Sequence, residues 1–294
     1  MRELSFTVPA EYDGVSLKGF LRGWCGVSAR LMVRLKRVPM GICKNGAHAI
    51  VTETLRAGDT VQLRMPDDEK QIEPVAVPLS VTYEDDDLLI VNKPDQMPMY
   101  PSPGHDCDSL ANAVSAYYAA QRQKIAFRPV YRLDKDTSGL VLLAKNAYAA
   151  ARLAGSVQKQ YFAVCEGSLS GDGAIDAPIS LKEGHGIQRE VAPHGEKAMT
   201  RWHVLASGAG HTLLCLELET GRTHQIRVHL SHLGHPLAGD DMYGGHTERI
   251  NRQALHCGSL SFVHPCTGKA IVLSSALPED MKNLLSTCGV EYSQ

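Results

Sequence analysis

Nothing in this chain announces a cofactor, a membrane or an oxidising compartment. It has no Gly-x-x-x-x-Gly-Lys-Ser/Thr loop and no Gly-x-Gly-x-x-Gly after a strand, so the usual marks of nucleotide-cofactor enzymes are missing. Its eight cysteines (Cys25, Cys43, Cys107, Cys165, Cys215, Cys257, Cys266, Cys288) are scattered, with no Cys-x-x-Cys pair. That excludes a disulfide scaffold and points to reduced, mostly buried thiols. Met1-Arg-Glu-Leu-Ser-Phe lacks the apolar core of a secretory signal, and no later run approaches a membrane span. Neither sign of charge is in excess: 30 Lys and Arg against 32 Asp and Glu leave a formal net charge of -2. Nucleic-acid binding must therefore be sought in local patches. No internal repeat or low-complexity tract occurs. The expectation is a soluble, cytoplasmic protein. Its 294 residues, 44% hydrophobic and 21% charged, suffice for one large core and a small second domain.

What is present begins with a basic section, residues 1–65. From Val15 to Thr52 every charged residue is basic: Lys18, Arg22, Arg30, Arg34, Lys36, Arg37 and Lys44. Ser28-Ala-Arg-Leu-Met-Val-Arg-Leu-Lys-Arg37 sets Leu31 and Leu35 four residues apart, and Arg30, Arg34 and Arg37 at i, i+4, i+7. A helix there has an apolar edge beside a basic stripe. Lys44-Asn-Gly46 predicts a tight turn, and Leu55–Leu63 a turn into a closing strand. A solvated helix face explains the stripe; an uninterrupted one-sign stretch in a near-neutral protein points instead to phosphate binding, with Arg30, Arg34, Arg37 and Lys44 as candidates.

Pro66-Asp-Asp-Glu-Lys-Gln-Ile-Glu-Pro74 opens a linker, 66–78, that is acidic and without period. The section 79–294 follows. Leu79–Pro94 predicts a hairpin whose second strand, Leu88–Val91, is buried and stopped by proline. Asp108 is a candidate N-cap for a helix through Tyr118. Pro129-Val-Tyr-Arg-Leu-Asp134, the turn Lys135–Gly139 and the apolar run Leu140–Ala144 predict a strand–turn–strand. Asn146–Gly155 is alanine-rich and helical. Lys159–Gly167 alternates as a strand, Gly171–Gly195 is irregular with excursions from the sheet, and Lys197–Ala206 pairs with His211–Glu219. Thr220–Gly234 carries a stripe of Ile226, Leu230 and Leu233 and predicts a short helix closed by Gly234. Strands follow at Ala254–Val263 and Ala270–Leu273, then a terminal helix from Pro278. Strands outnumber helices without regular alternation. The fold class is α+β, a mixed, largely antiparallel sheet with flanking helices, preceded by a small α/β domain.

Asp134, at the mouth of that strand–turn–strand, suits a nucleophile, a general base or a turn cap. His224, His229, His232 and His235 invite a metal, but their spacing fits no familiar ligand pattern, and Arg227 among them opposes a cation. Cys257 and Cys266 lack a histidine at suitable spacing, which argues against thiol catalysis. A buried Arg227 needs a carboxylate, and a catalytic aspartate needs a group to orient it, so the two are candidate partners.

Tyr131-Arg-Leu-Asp-Lys-Asp-Thr-Ser-Gly-Leu140 resembles the signature of the RluA-type pseudouridine synthases. So do Leu88–Pro94, Lys159–Gly167, Gly221–His229 with Gly234–Asp240, and Leu255-His256 to His264-Pro265, in the family's order across about Leu79 to Leu285. Tyr131 stands where many members have histidine. Ser28, Lys44–Gly46 and Leu55–Asp59 in turn resemble the small RNA-binding domain named after ribosomal small-subunit protein four. The resemblance implies a pseudouridine synthase fold and an enzyme isomerising uridine in ribosomal or transfer RNA. No redox change or external group is involved, so no cofactor or metal is expected; the partner is RNA, no membrane is involved, and the chain is monomeric. It implies Asp134 as the essential carboxylate, with ribose addition, base addition and sugar proton removal all open. Arg227 becomes its partner, Tyr161 the residue against the target base, and Arg132 the residue that fills the gap left by the flipped uridine. The rival expectations are a catalytically silent RNA-binding or ribosome-assembly factor on the same fold, and a metal-dependent hydrolase built on the histidines.

Overall fold

The computed structural model describes residues 2–68 and 72–292. Residues 69–71 of the predicted linker and 293–294 of the last section lie outside the described residues. The described strands fall into two main sheets and a small ribbon. The first sheet takes β1 (Glu3–Thr7), β2 (Ile42–Lys44), β3 (Ala47–His48) and β4 (Thr60–Arg64) in the order β1-β4-β2-β3. Helices α1 (Leu17–Gly23) and α2 (Ala29–Leu35) pack beside it. Each is started by a serine, Ser16 or Ser28, whose side chain accepts a backbone N–H three residues on, a cap that contributes about 1 kcal/mol. Asn45 and Gly46 both hold positive φ, 49° and 80°, the conformation a two-residue hairpin turn demands. Helix α2 stops at Leu35, so Arg37 lies beyond it in a turn whose N–H donates to Arg34 O. Gly41 packs so close to the Leu35 carbonyl that a Cβ there would lie 2.1 Å away, and the chain turns back before another helical turn forms.

The second sheet has nine strands. In chain order the elements are β5 (Ser80–Glu84), β6 (Leu88–Lys93), α3 (Leu110–Ala120), β7 (Ser138–Ala144), α4 (Ala147–Leu153), β8 (Gln158–Glu166) and β9 (Asp172–Asp176). The ribbon β10 (Ile179–Leu181) and β11 (Arg189–Val191) intervenes, then β12 (Met199–Gly208), β13 (His211–Leu218), α5 (Gln225–His232), β14 (Leu255–Val263), β15 (Ala270–Ser274) and α6 (Glu279–Thr287). The strand order is β5-β6-β7-β14-β8-β13-β12-β9, with β15 on β14. Only β7 and β14 run parallel; the other pairs are antiparallel. The expected mixed, largely antiparallel α+β fold is borne out.

Central placement of β7 follows from its sequence. All seven of its residues are buried, so both faces need cover, and each covered leucine contributes about 1.5–3 kcal/mol. Gly139 sits where β7 meets β14: its φ is 117°, and a Cβ would lie 2.3 Å from Cys257 O. No side chain fits. Because Cys257 is opposite both Gly139 and Tyr161, the start of β7 and the middle of β8 lie on one line across β14.

Several local expectations are corrected. Helix α3 is capped by Ser109, which forms a capping box with Asn112, because the Asp108 carboxylate is taken by His105 at 2.7 Å. The arm before Asp134 is extended chain tacked to β7 (Val130 N–H to Leu142 O, 2.9 Å) and not a strand. Ser138 and Gly139 belong to β7, not to the turn. Within Gly171–Gly195, β9 is the sheet's edge, and only the ribbon leaves it. Leu233 of the predicted stripe is exposed, while Ile226 and Leu230 are buried.

The first sheet's core also includes Tyr148 of α4, whose ring lies 5.9 Å from that of Phe6. Arg2 clamps the buried Asp87 carboxylate with bonds of 3.0 and 2.9 Å. The described linker residues are tacked down too: Asn112 Nδ2 donates to Glu73 O (2.9 Å), and Asp68 Oδ2 accepts Ala126 N–H (3.0 Å).

Candidate active site

The turn Asp134–Thr137, closed by Thr137 N–H to Asp134 O at 3.2 Å, stands at the start of β7. Buried polar side chains from other elements hold it. Lys93 Nζ, at the end of β6, donates to the carbonyls of Lys135 (2.8 Å), Pro94 and Met97 (both 2.9 Å). Burial pulls the Lys93 ammonium down to about 7, against the pull of the Asp136, Asp134 and Asp95 carboxylates, and the three acceptors match the three N–H bonds of the charged form. Arg252 Nη1 donates to Asp136 O (3.1 Å), while its Nε and Nη2 clamp Asp280 of α6. Gln253 donates to Thr137 Oγ1 (3.3 Å), and His256 Nδ1 meets Ser138 Oγ (2.9 Å). A carboxylate on such a turn is held to one place.

Helix α5 brings Arg227 to it. Nη1 lies 3.4 Å from Asp134 Oδ2, so the predicted pairing occurs, but it is the weaker of two. Nε and Nη2 grip Asp240 at 2.7 and 2.8 Å, and the Tyr243 ring lies 4.9 Å from the guanidinium carbon. Burial opposes the Arg227 charge, yet the Asp240 hydrogen bonds and charge outweigh it and raise the pKa. Tyr161 is buried, and its hydroxyl is pushed well above the ordinary tyrosine value by burial, then by Cys257 and Asp134; it is a neutral phenol. Tyr131 Oη donates to Leu140 O at 2.8 Å, and the Lys159 ammonium lies 5.0 Å from its ring centre. Its hydroxyl is thus committed to the backbone of β7. Arg132 is exposed, 5.7 Å from the Tyr100 ring centre.

Asp134, Tyr161, Arg227 and Arg132 line one cavity of about 970 Å³. Its charged lining is six cations, Arg132, Lys135, Lys159, Arg189, Arg222 and Arg227, and a single acid, Asp134. The stripe residues do not join it. Arg34 pairs with Asp68 (3.6 Å), and Lys44 pairs with Asp59 (3.4 Å) and donates to Thr54 O (2.9 Å). Arg30 and Arg37 are exposed and have no partner among the described residues.

The four histidines separate, with His232 exposed at the end of α5. His224 caps α5 beside Tyr243. His229 is buried on Thr200 Oγ1 and Ala177 O, and His235 Nδ1 meets Glu166 O. The one acid–histidine group close enough to hold an ion among the described residues is Asp85, Asp87 and His264. Its atoms are already engaged: His264 on Asp85, and Arg2 and Asn146 on Asp87. Sequence reasoning weighed His224 only as a metal ligand and passed over Asp240, Tyr243, Lys93 and Arg252. Asp240 closes a segment already singled out. Lys93, two residues after the apolar run Leu88–Val91 and just before proline, was the other available signal.

Comparison with known proteins supplies the remaining observations. The family model described as RNA pseudouridylate synthase matches residues 87–232. The uncharacterized RNA pseudouridine synthase YjbO of Bacillus subtilis is 39% identical over 271 residues, 90% of this chain and 96% of that one. Ribosomal large subunit pseudouridine synthase D of Escherichia coli is 34% identical over 262 residues, 82% of this chain and 80% of that one. Among solved structures, human RNA pseudouridylate synthase domain containing 4 superposes with a TM-score of 0.60 at 22% identity, over 73% of this chain and 95% of that one, a likeness of fold.

Proposed function

The chain belongs to the RNA pseudouridylate synthase family and isomerises uridine in RNA, and from that premise we propose that Asp134 carries the reaction in a cavity that takes one flipped uridine. The observation that carries the proposal is the charge of that cavity: one acid among six cations, on a chain of net charge -2. Cations draw in the phosphate backbone, and the lone carboxylate meets the nucleoside. The uracil N1 to ribose C1′ bond breaks, a C5 to C1′ bond forms, the C5 proton leaves, and N1 gains a proton. Oxidation states balance without an external group. Ribose addition, base addition and sugar proton removal each require a carboxylate fixed in place, which the contacts of the Asp134 turn support. Arg227, tied to Asp240, serves as the fixed cation beside it. Tyr161, kept neutral, packs against the target base and helps move the carbon 5 proton. Arg132 at the lip, with its planar guanidinium beside Tyr100, fills the gap left by the flipped base.

Ribosomal RNA is the substrate class favoured by the likeness to the large-subunit synthase. Arg30, Arg34, Arg37 and Lys44 contact RNA outside the cavity, with Arg30 and Arg37 best placed to do so. The named groups come from one chain, so a monomer suffices. Among the described residues no helix is long and apolar enough to cross a membrane. The comparisons lend no support to a catalytically silent binder. The test is tritium release from RNA labelled at uracil carbon 5: wild type releases it to water, and Asp134→Asn binds RNA but does not. Release by the variant at the wild-type rate removes Asp134 from this role.

A further inference from the structure

Both groups that approach the Asp134 carboxylate do so at one oxygen. Arg227 Nη1 lies 3.4 Å from Oδ2, and His224 Nε2 faces the same oxygen from 4.0 Å, just outside hydrogen-bond reach. Among the described residues none donates to Oδ1. We propose that His224 is a positioning residue for Asp134, locked by the Tyr243 hydroxyl in the tautomer with its proton on Nε2, so that it presents an N–H to Oδ2 and leaves Oδ1 to meet the substrate. The inference rests on Asp134 as the reacting carboxylate.

The tautomer follows from counting hydrogens. Tyr243 Oη accepts the Arg189 backbone N–H at 2.9 Å and lies 2.8 Å from His224 Nδ1. A phenol has one hydrogen. If Nδ1 carried the imidazole proton, the Tyr243 O–H would have no acceptor among the described residues. With the O–H donated to Nδ1, every polar atom in the chain is used, and a neutral imidazole that accepts at Nδ1 carries its proton on Nε2. Tyr243 serves both partners of Oδ2, since its ring also lies under the Arg227 guanidinium.

The backbone points the same way. His224 is the N-cap of α5 yet holds φ 57° and ψ 20°, left-handed, with no side-chain cap bond. That conformation costs a non-glycine residue on the order of 1 kcal/mol and persists where the surroundings enforce it. The charged groups around the ring are Asp134, Asp240, Arg227 and Arg189. Burial, with Arg227 and Arg189, outweighs the two carboxylates and lowers the His224 pKa, so the ring is neutral at physiological pH. Protonation would make Nδ1 a donor and break the bond from Tyr243.

Two variants and one spectrum test this. His224→Asn keeps a residue that tolerates the left-handed backbone and removes the Nε2 donor. Its kcat for tritium release should fall about 100-fold, the scale expected when a reacting group is misplaced, with KM for RNA within about twofold of wild type. Tyr243→Phe keeps the ring under Arg227 and removes only the locking hydroxyl. Its kcat should fall about tenfold, the acid limb of its pH profile should move, and ¹⁵N spectra of the His224 ring should pass from the pure Nε2–H form to a mixture. A wild-type ring in the Nδ1–H form overturns the proposal, and this holds even if His224→Asn fails to fold. So does wild-type kcat in a folded His224→Asn. An inactive Asp134→Asn beside a fully active His224→Asn defeats this inference alone, whereas an active Asp134→Asn defeats the functional assignment beneath it.

Discussion

The chain has two basic regions, and they are built in opposite ways. In the first section seven cations follow one another between Val15 and Thr52 without an intervening acid. In space that charge is spread out and partly spent: Arg22 donates to Val27 O, Arg34 pairs with Asp68, and Lys44 pairs with Asp59. The cavity's six cations are scattered from Arg132 to Arg227 in sequence, and although Arg227 is tied to Asp240 and Arg222 to Glu196, they line one cavity around a single carboxylate. Charge density along a chain and charge density in space are different quantities, and only the second makes a site.

The contrast can be broken first at its buried end. Asp240→Ala leaves the Arg227 guanidinium buried without its main carboxylate. It should cost about 3–5 kcal/mol in urea unfolding and lower turnover with it; a loss below about 1 kcal/mol would show Arg227 to be held by something else. His256, which meets Ser138 at the start of β7, is next. Burial lowers its pKa from 6.5 to about 4. The unfolded chain therefore binds the extra proton first. Its contribution is intact above pH 6.5, and about 3 kcal/mol is lost as pH falls from 6.5 to 4. His256→Gln should flatten the pH dependence of stability across that window, and an unchanged slope would contradict the assignment.

Arg2→Ala cuts the bidentate clamp on Asp87 between the two sheets. About 1–2 kcal/mol should be lost, with turnover at saturating RNA little changed. The smallest effect belongs to the stripe. Arg30→Ala with Arg37→Ala should alter stability by less than about 0.5 kcal/mol, while the slope of log affinity against log salt falls by about two, roughly one per phosphate contact.

The same contrast marks how far the sequence could be read. Elements with a local cause were legible: the Ser28 cap, the Asn45-Gly46 turn, the apolar run of β7, the α5 stripe as far as Leu230. Asp134, Tyr161, Arg227 and Arg132 were named from motifs and fall in one cavity. What resisted was any ranking of long-range partners. Arg227 was matched to Asp134, 93 residues away, whereas its closer partner is Asp240, 13 residues on. Nothing local distinguishes those carboxylates; burial and geometry do. Lys93 lay just past the predicted strand Leu88–Val91 and drew no notice, because the carbonyls that hold its ammonium gather only in the folded chain. Likewise, the β7–β14 contact that joins Ser138 to His256 spans 118 residues, and parallel pairing leaves no local mark.

The most direct test sets the two regions side by side. Under single-turnover conditions with saturating RNA labelled with tritium at uracil carbon 5, release is followed for wild type, Asp134→Asn and the Arg30→Ala, Arg37→Ala pair. The account predicts no release from Asp134→Asn and a wild-type rate from the stripe variant once RNA saturates. Turnover by Asp134→Asn, or a stripe variant whose rate stays low at saturation, would contradict it.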